Sequence, residues 1–363
     1  MGSSLLQNIA APYKPTICIP RWVSLTCILA IPVLSYVPLH TTAVDFADSF
    51  QLGYGAMMKS ILLDLPIGEA WIWTTFGAFG LAIIMGVPVF AKDRHMPKVA
   101  FLLILLLAFW LGYGSHIATL DAIKGLIVHT GHFMSVSLWL GILFVVSWFS
   151  QDELNWQPFL KWFSPLAIVC VLIALIAGIT LMSYTVPQYS NALMLNYGQM
   201  MLLKHAAIIP LLWLAFSNGF LYPRYARSKG ISSQRKLLRA ESIVAMLVLG
   251  FTAVMGQSIP PHNVLETLRT ETPAPLFTTI YQGSFSPDLQ LSWSINLSSI
   301  LLLVAALFML YGMIVACKQR SIIWIIILSL LMILFIYLSI MFGIEAKETN
   351  DELAAILSVI KLG

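Results

Sequence analysis

Charged residues are scarce in this chain. Only 10% of its 363 residues are Asp, Glu, Lys or Arg, where a soluble domain carries about 25%. Cysteine is scarce too: the four present form no Cys-x-x-Cys pair and no zinc-ligand spacing. No Walker A sequence and no Asp-Lys-Thr-Gly phosphorylation sequence occurs, which leaves no visible means of using ATP. Ser-His-Asp and zinc-hydrolase spacings are missing as well, so an enzyme is not expected. The net charge of +4 reads as a membrane-topology signal, and nucleic acid is not an expected partner. The first apolar run begins near Thr16 and no small-residue cleavage site follows it. It is expected to stay in place as a span rather than act as a cleaved signal. No internal repeat is evident.

Apolar residues, by contrast, make up 59% of the chain. They occur in runs longer than a buried core helix needs, which indicates transmembrane helices. Nine runs qualify, at about 17–39, 67–91, 98–118, 123–149, 163–186, 197–222, 239–258, 291–316 and 321–343. The expected fold class is all-α: a polytopic helical bundle embedded in a lipid bilayer. Orientation follows the bias of Lys and Arg toward cytoplasmic loops. Lys14, Arg21, Lys92, Arg94, Lys98, Lys161, Arg224, Arg227, Lys229, Arg235, Lys236, Arg239, Lys318 and Arg320 fall on one side, fourteen of the twenty basic residues. That side is read as the cytoplasm. The N-terminus is then inside and, after nine spans, the C-terminus outside.

Three segments outside the spans have their own character. Residues 40–66 are weakly amphipathic, contain Met57-Met58-Lys59, and are expected to lie as a helix at the outer interface. Residues 259–290 are rich in Pro, Thr and Ser and are expected to form an irregular cap. After Gly343, the spacing of Leu353, Ile356, Leu357 and Ile360 predicts a short amphipathic helix.

This topology sorts the metal-ligating residues. His40, His116, His129, His132, His205 and His262 fall in outer halves or outer loops, and His95 alone lies inside. Cys18, Cys27, Cys170 and Cys317 all map to the inner half or inner face. Imidazoles outside and thiols inside are the ligands expected where a transition metal crosses a bilayer. The strongest local signal is His129-Thr-Gly-His132, because positions three apart share a helix face. His132 lies about 15 Å into its span, at a depth where polar groups face a bundle interior or a watery cavity. Lys204-His205 is the second signal, about 12 Å below the outer surface. His205 matches the other two histidines in depth and is a candidate third ligand. Lys204 either snorkels to the headgroups or balances charge and gates the site. Met134, Met200 and Met201 add soft thioethers in the outer halves of spans or at a mouth of the bundle, and His116 adds a further outer imidazole. Thioether suits Cu(I), and imidazole suits copper in either oxidation state. Cys27, Cys170 and Cys317 would mark the exit.

Residues 125–262 resemble the CopD-type copper-resistance membrane proteins. The resemblance rests on His132 followed by Trp139 and Gly141, on the helix from Phe159 through Gly178, and on Tyr197-Gly198 leading to Leu203-Lys204. Leu214-Ala-Phe-Ser-Asn218, Glu241 and Pro260-Pro261 complete it, while Gly141-Ile142 stands where that family commonly has Gly-Gly. The resemblance implies a multi-pass protein of the bacterial plasma membrane that takes up or delivers copper. It also implies a separate extracytoplasmic copper-binding donor protein, since no β-sandwich domain is carried here. Four regions follow: an N-terminal membrane region over 1–120, a CopD-like core over 121–262, an extracytoplasmic loop over 263–290, and a C-terminal pair of spans with its tail over 291–363. Two alternatives stay open. Histidines at matched depth on different helices suit the haem of a b-type cytochrome, and a copper-insertion factor for a respiratory oxidase would bind copper without transporting it.

Overall fold

The computed structural model describes residues 1–152, 155–221, 232–281, 283, 285–286, 288–319 and 321–346. Among them, nine helices are long and apolar enough to cross a membrane, from Arg21–Phe50 to Ile322–Phe342. The chain divides into two compact units. The first comprises Met1–Thr185 and Leu214–Ser242, the second Val186–Trp213 and Ile243–Gly363.

The first unit is a succession of helices, α1 (Gly2–Asn8), α2 (Arg21–Phe50), α3 (Tyr54–Asp64), α4 (Pro66–Gly86), α5 (Met96–Tyr113), α6 (Ala122–Phe149) and α7 (Trp156–Thr185). α2 packs on α4, α4 on α5, α5 on α6 and α6 on α7. Lipid tails are as apolar as these side chains, so close approach holds such helices together rather than hydrophobic exclusion. Gly112 of α5 illustrates it: a Cβ there would come within 1.9 Å of the Thr130 hydroxyl oxygen on α6. Side chains such as Phe76, Ile176 and Val33 stay exposed on the outside, as a lipid-facing surface requires.

The outer segment departs from expectation. Residues 40–66 do not form one interfacial helix. α2 has 30 residues, about 45 Å at helical rise, and continues through Phe50 to a left-handed cap at Gln51. α3 then folds back. Its Met57, Met58 and Ile61 are buried against Leu39 and Ala43 of α2, so apolar burial divides the segment, and this methionine pair serves as core.

α1 is also pressed into the first unit, against α5 and α6. A Cβ on Gly2 would lie 2.2 Å from the Gly141 carbonyl carbon, a backbone-to-backbone approach that two glycines permit. The strand-like stretch after it bridges Ile17 to Ser150, with Cys18 N–H donating to the Phe149 carbonyl at 3.0 Å.

α8 (Asn196–Phe216) and α9 (Ser232–Met255) contribute residues to both units. Within the second unit, α10 (Leu297–Gln319) and α11 (Ile322–Phe342) form a closely packed antiparallel pair. Gln199 is buried there, donating to Met341 Sδ at 3.5 Å and accepting from the Tyr337 hydroxyl. The stretch 259–290 is more ordered than expected, with short helices at Val264–Thr270 and Pro275–Ile280. Beyond Gly343 the chain turns to strand: β2 (Ile344–Ala346) pairs antiparallel with β1 (Leu291–Trp293). The amphipathic helix expected at Leu353–Ile360 lies outside the described residues.

Candidate metal-handling site

His129 and His132 stand one turn apart on α6, in the first unit. His132 is fixed from the neighbouring helix: its Nδ1 lies 2.9 Å from the Ala174 carbonyl oxygen of α7. A carbonyl only accepts, so Nδ1 carries the proton and donates. That tautomer puts the ring's lone pair on Nε2, which is how a ligating histidine is usually oriented. Gly178, one turn further along α7, lets the ring approach; a Cβ there would sit 3.4 Å from His132 Cε1. The interhelical bond itself is worth only about 0.6 kcal/mol in a membrane. Orientation of the ring is its larger consequence.

His129 is held differently. Its Nδ1 is buried with no hydrogen-bond partner among the described residues, and the same is true of the adjacent Thr130 hydroxyl. A buried polar atom left without a partner calls for an occupant such as water or an ion. Met134 is half-buried on the same helix. His116 opens the short helix His116–Leu120, which packs on α6 in the same unit and leaves the imidazole exposed.

His205 and Lys204 lie in the second unit, on α8. Tyr189 meets His205 there: the rings stack with centroids 5.9 Å apart and planes 17° from parallel. The phenolic oxygen is 3.1 Å from His205 Nδ1. Burial pushes the Tyr189 phenol up to about 12, so it stays protonated and can donate or accept. Trp293 of β1 lies beyond Tyr189, its ring 6.3 Å away. No sequence pattern pointed to Tyr189 or Trp293, because a short helix (Tyr189–Ala192) and a strand bring them from sixteen residues before and far beyond His205. Lys204 is half-buried, and among the described residues no hydrogen bond or ion pair engages its ammonium. Met201 is buried and Met200 half-buried.

The four thiols are free. Cys170 is buried, Cys317 half-buried, and Cys18 and Cys27 exposed. Cys18, absent from the exit expected through the other three, lines a cavity of about 470 Å³ in the first unit together with Lys14, Arg21 and Met85. Among the described residues, no group of three or more His, Cys, Asp and Glu side chains could hold a metal ion. A site that passes a cation on must also release it.

Part of the sequence that carries these positions is similar to copper proteins. Residues 157–255 match the family model described as Copper resistance protein D. This segment of the chain is CopD-like. It contains α7, Lys204-His205, Asn218 and Glu241 but begins after His132, so it is narrower than the expected 125–262. The chain is also 26% identical over 249 residues to Copper transport protein CutJ of Bacillus subtilis (strain 168), an alignment covering 64% of this chain and 44% of CutJ. The chain therefore spans less than half the length of this curated relative. No solved structure matches it.

Proposed function

We infer that the chain carries copper across the plasma membrane, inward, with copper as its cargo. The observation that carries this reading is the His129–His132 pair, set in a membrane span beside a CopD-like segment. One imidazole is oriented by the Ala174 carbonyl and the other has an unpartnered buried nitrogen. Soft and imidazole ligands favour copper over harder cations. The resemblance to a family model for copper resistance and to a copper transport protein points the same way.

In this scheme an extracytoplasmic donor protein delivers copper near His116. His129 and His132 capture it, with Met134 as a soft neighbour. His205, backed by Tyr189, offers a further imidazole, and Met200 and Met201 further thioethers. Lys204, next to His205 on α8, repels a cation bound at that imidazole and so promotes release. Thiols on the cytoplasmic side receive the metal.

Copper counted inside proteoliposomes, together with metal and haem analysis of the same preparation, tests the reading. A colourless protein that accumulates copper, and loses that capacity with His132→Ala, supports it. A strong Soret band would instead make it a b-type cytochrome. Copper binding without flux would make it an insertion factor.

A further inference from the structure

The CopD-like segment holds a second polar pair, unrelated to the histidines. Glu241 of α9 is 2% exposed and Asn218, just after α8, is 3% exposed. Both belong to membrane-crossing helices and both lie in the first unit. Asn218 Nδ2 donates to Glu241 Oε2 at 2.6 Å. The other end of the same amide, Asn218 Oδ1, is buried with no hydrogen-bond partner.

A carboxylate buried this deeply is strongly disfavoured unless a cation or several donors hold it. Among the described residues, the cations of the surrounding elements are directed elsewhere. Arg235 and Arg239, on the same helix, both donate to the Ser147 carbonyl, at 3.5 and 3.0 Å. The Arg239 guanidinium lies over the Trp148 ring at 5.1 Å, and Lys236 is exposed. From α6, Trp148 Nε1 donates to the Ser242 hydroxyl at 2.9 Å, so that side presents an indole and hydroxyls. From α7, the group nearest Gly219 is the Ser164 hydroxyl, and Lys161 is exposed. Arg224, Arg227 and Lys229 lie outside the described residues.

The Asn218 amide is therefore the hydrogen-bond partner that the described residues give the Glu241 carboxyl. An amide suits either state of a carboxyl: its NH2 donates to the carboxylate, and its carbonyl accepts from the acid once the amide plane turns over. The unpartnered Oδ1 is the acceptor that the second role uses. Exchange between the two states then needs one side-chain rotation and no movement of a helix. Ionisable residues in such positions serve proton relays and ion pathways.

We propose that Glu241, partnered by Asn218, is a proton-binding site within the membrane, and that copper passage is coupled to it. Resting on the copper reading above, the coupling runs as follows. As the metal cation reaches the carboxyl, the O–H bond breaks heterolytically and its proton passes to water. The carboxylate left behind offsets one positive charge of the metal. When the metal departs, a proton from water restores the acid. No electron transfer is involved, and for Cu(I) one positive charge replaces another, so charge within the membrane is conserved.

Infrared difference spectroscopy of the purified full chain tests this. The wild type should show a carboxylic-acid C=O band that comes and goes reversibly as pH is stepped. Glu241→Gln should lack that band, and Asn218→Leu, which keeps the carboxyl, should shift it. Adding Cu(I) should bleach the band and release one proton per bound copper into a weakly buffered medium. Identical band sets in the wild type and Glu241→Gln would overturn the proton site. A titrating band indifferent to bound copper would overturn the coupling. A titrating band in a protein that neither binds nor moves copper would keep the proton site and reject the copper reading instead.

Discussion

His132 of α6 is tied to Ala174 of α7 by a hydrogen bond of 2.9 Å from ring nitrogen to carbonyl oxygen. The donor is an imidazole that can bind metal and the acceptor is backbone, which no side-chain substitution removes. The ring's orientation is thus a property of how two membrane helices pack. His132→Ala should weaken copper binding by more than tenfold, about 1.4 kcal/mol or more. His95→Ala should leave it unchanged, because His95 is exposed and engaged locally with Arg94. Titration of both variants with Cu(I) checks this, and equal affinity for wild type and His132→Ala would remove the site.

Gly178, one turn along α7 from Ala174, makes room for the same ring. A methyl group at 3.4 Å from Cε1 is an ordinary contact, so Gly178→Ala should bind copper normally. Gly178→Leu must displace the imidazole or part the helices. Copper affinity should fall toward that of His132→Ala while the protein still inserts into the membrane.

Lys204 is expected to act on release. With Lys204→Met the apolar stem is kept and the charge is lost. Copper should then bind more tightly and leave more slowly, so binding rises as flux falls. Both are measured on one preparation, and unchanged values would reject the gating role.

At the α5–α6 contact, Gly112 faces Thr130 with no room for a Cβ. Gly112→Val should destabilise the protein by about 1–3 kcal/mol, the usual cost of overpacking. Pairing it with Thr130→Gly should recover part of the loss. Thermal unfolding in detergent reads both, and full stability of Gly112→Val would show that the helices are free to part.

Orientation is tested by labelling. In a chain without its native cysteines, a single cysteine near His262 should react with a membrane-impermeant reagent on intact cells. One placed between Arg224 and Arg239 should not. The reverse pattern would invert the topology and with it the inward direction.

The sequence by itself determined the nine spans, because a bilayer demands long apolar runs and each run reports its own position. It also determined that His129 and His132 share a helix face, since helical spacing is local. It misjudged residues 40–66, where burial of Met57 and Met58 on α2 outweighed their weak amphipathic pattern. Tertiary structure alone decided which partners the polar residues found. Ala174 for His132, Tyr189 for His205 and Asn218 for Glu241 come from 42, 16 and 23 residues away. Such pairings depend on which helix faces meet and how closely glycines let them approach. No periodicity along the chain encodes that, because a membrane helix is apolar on nearly every side.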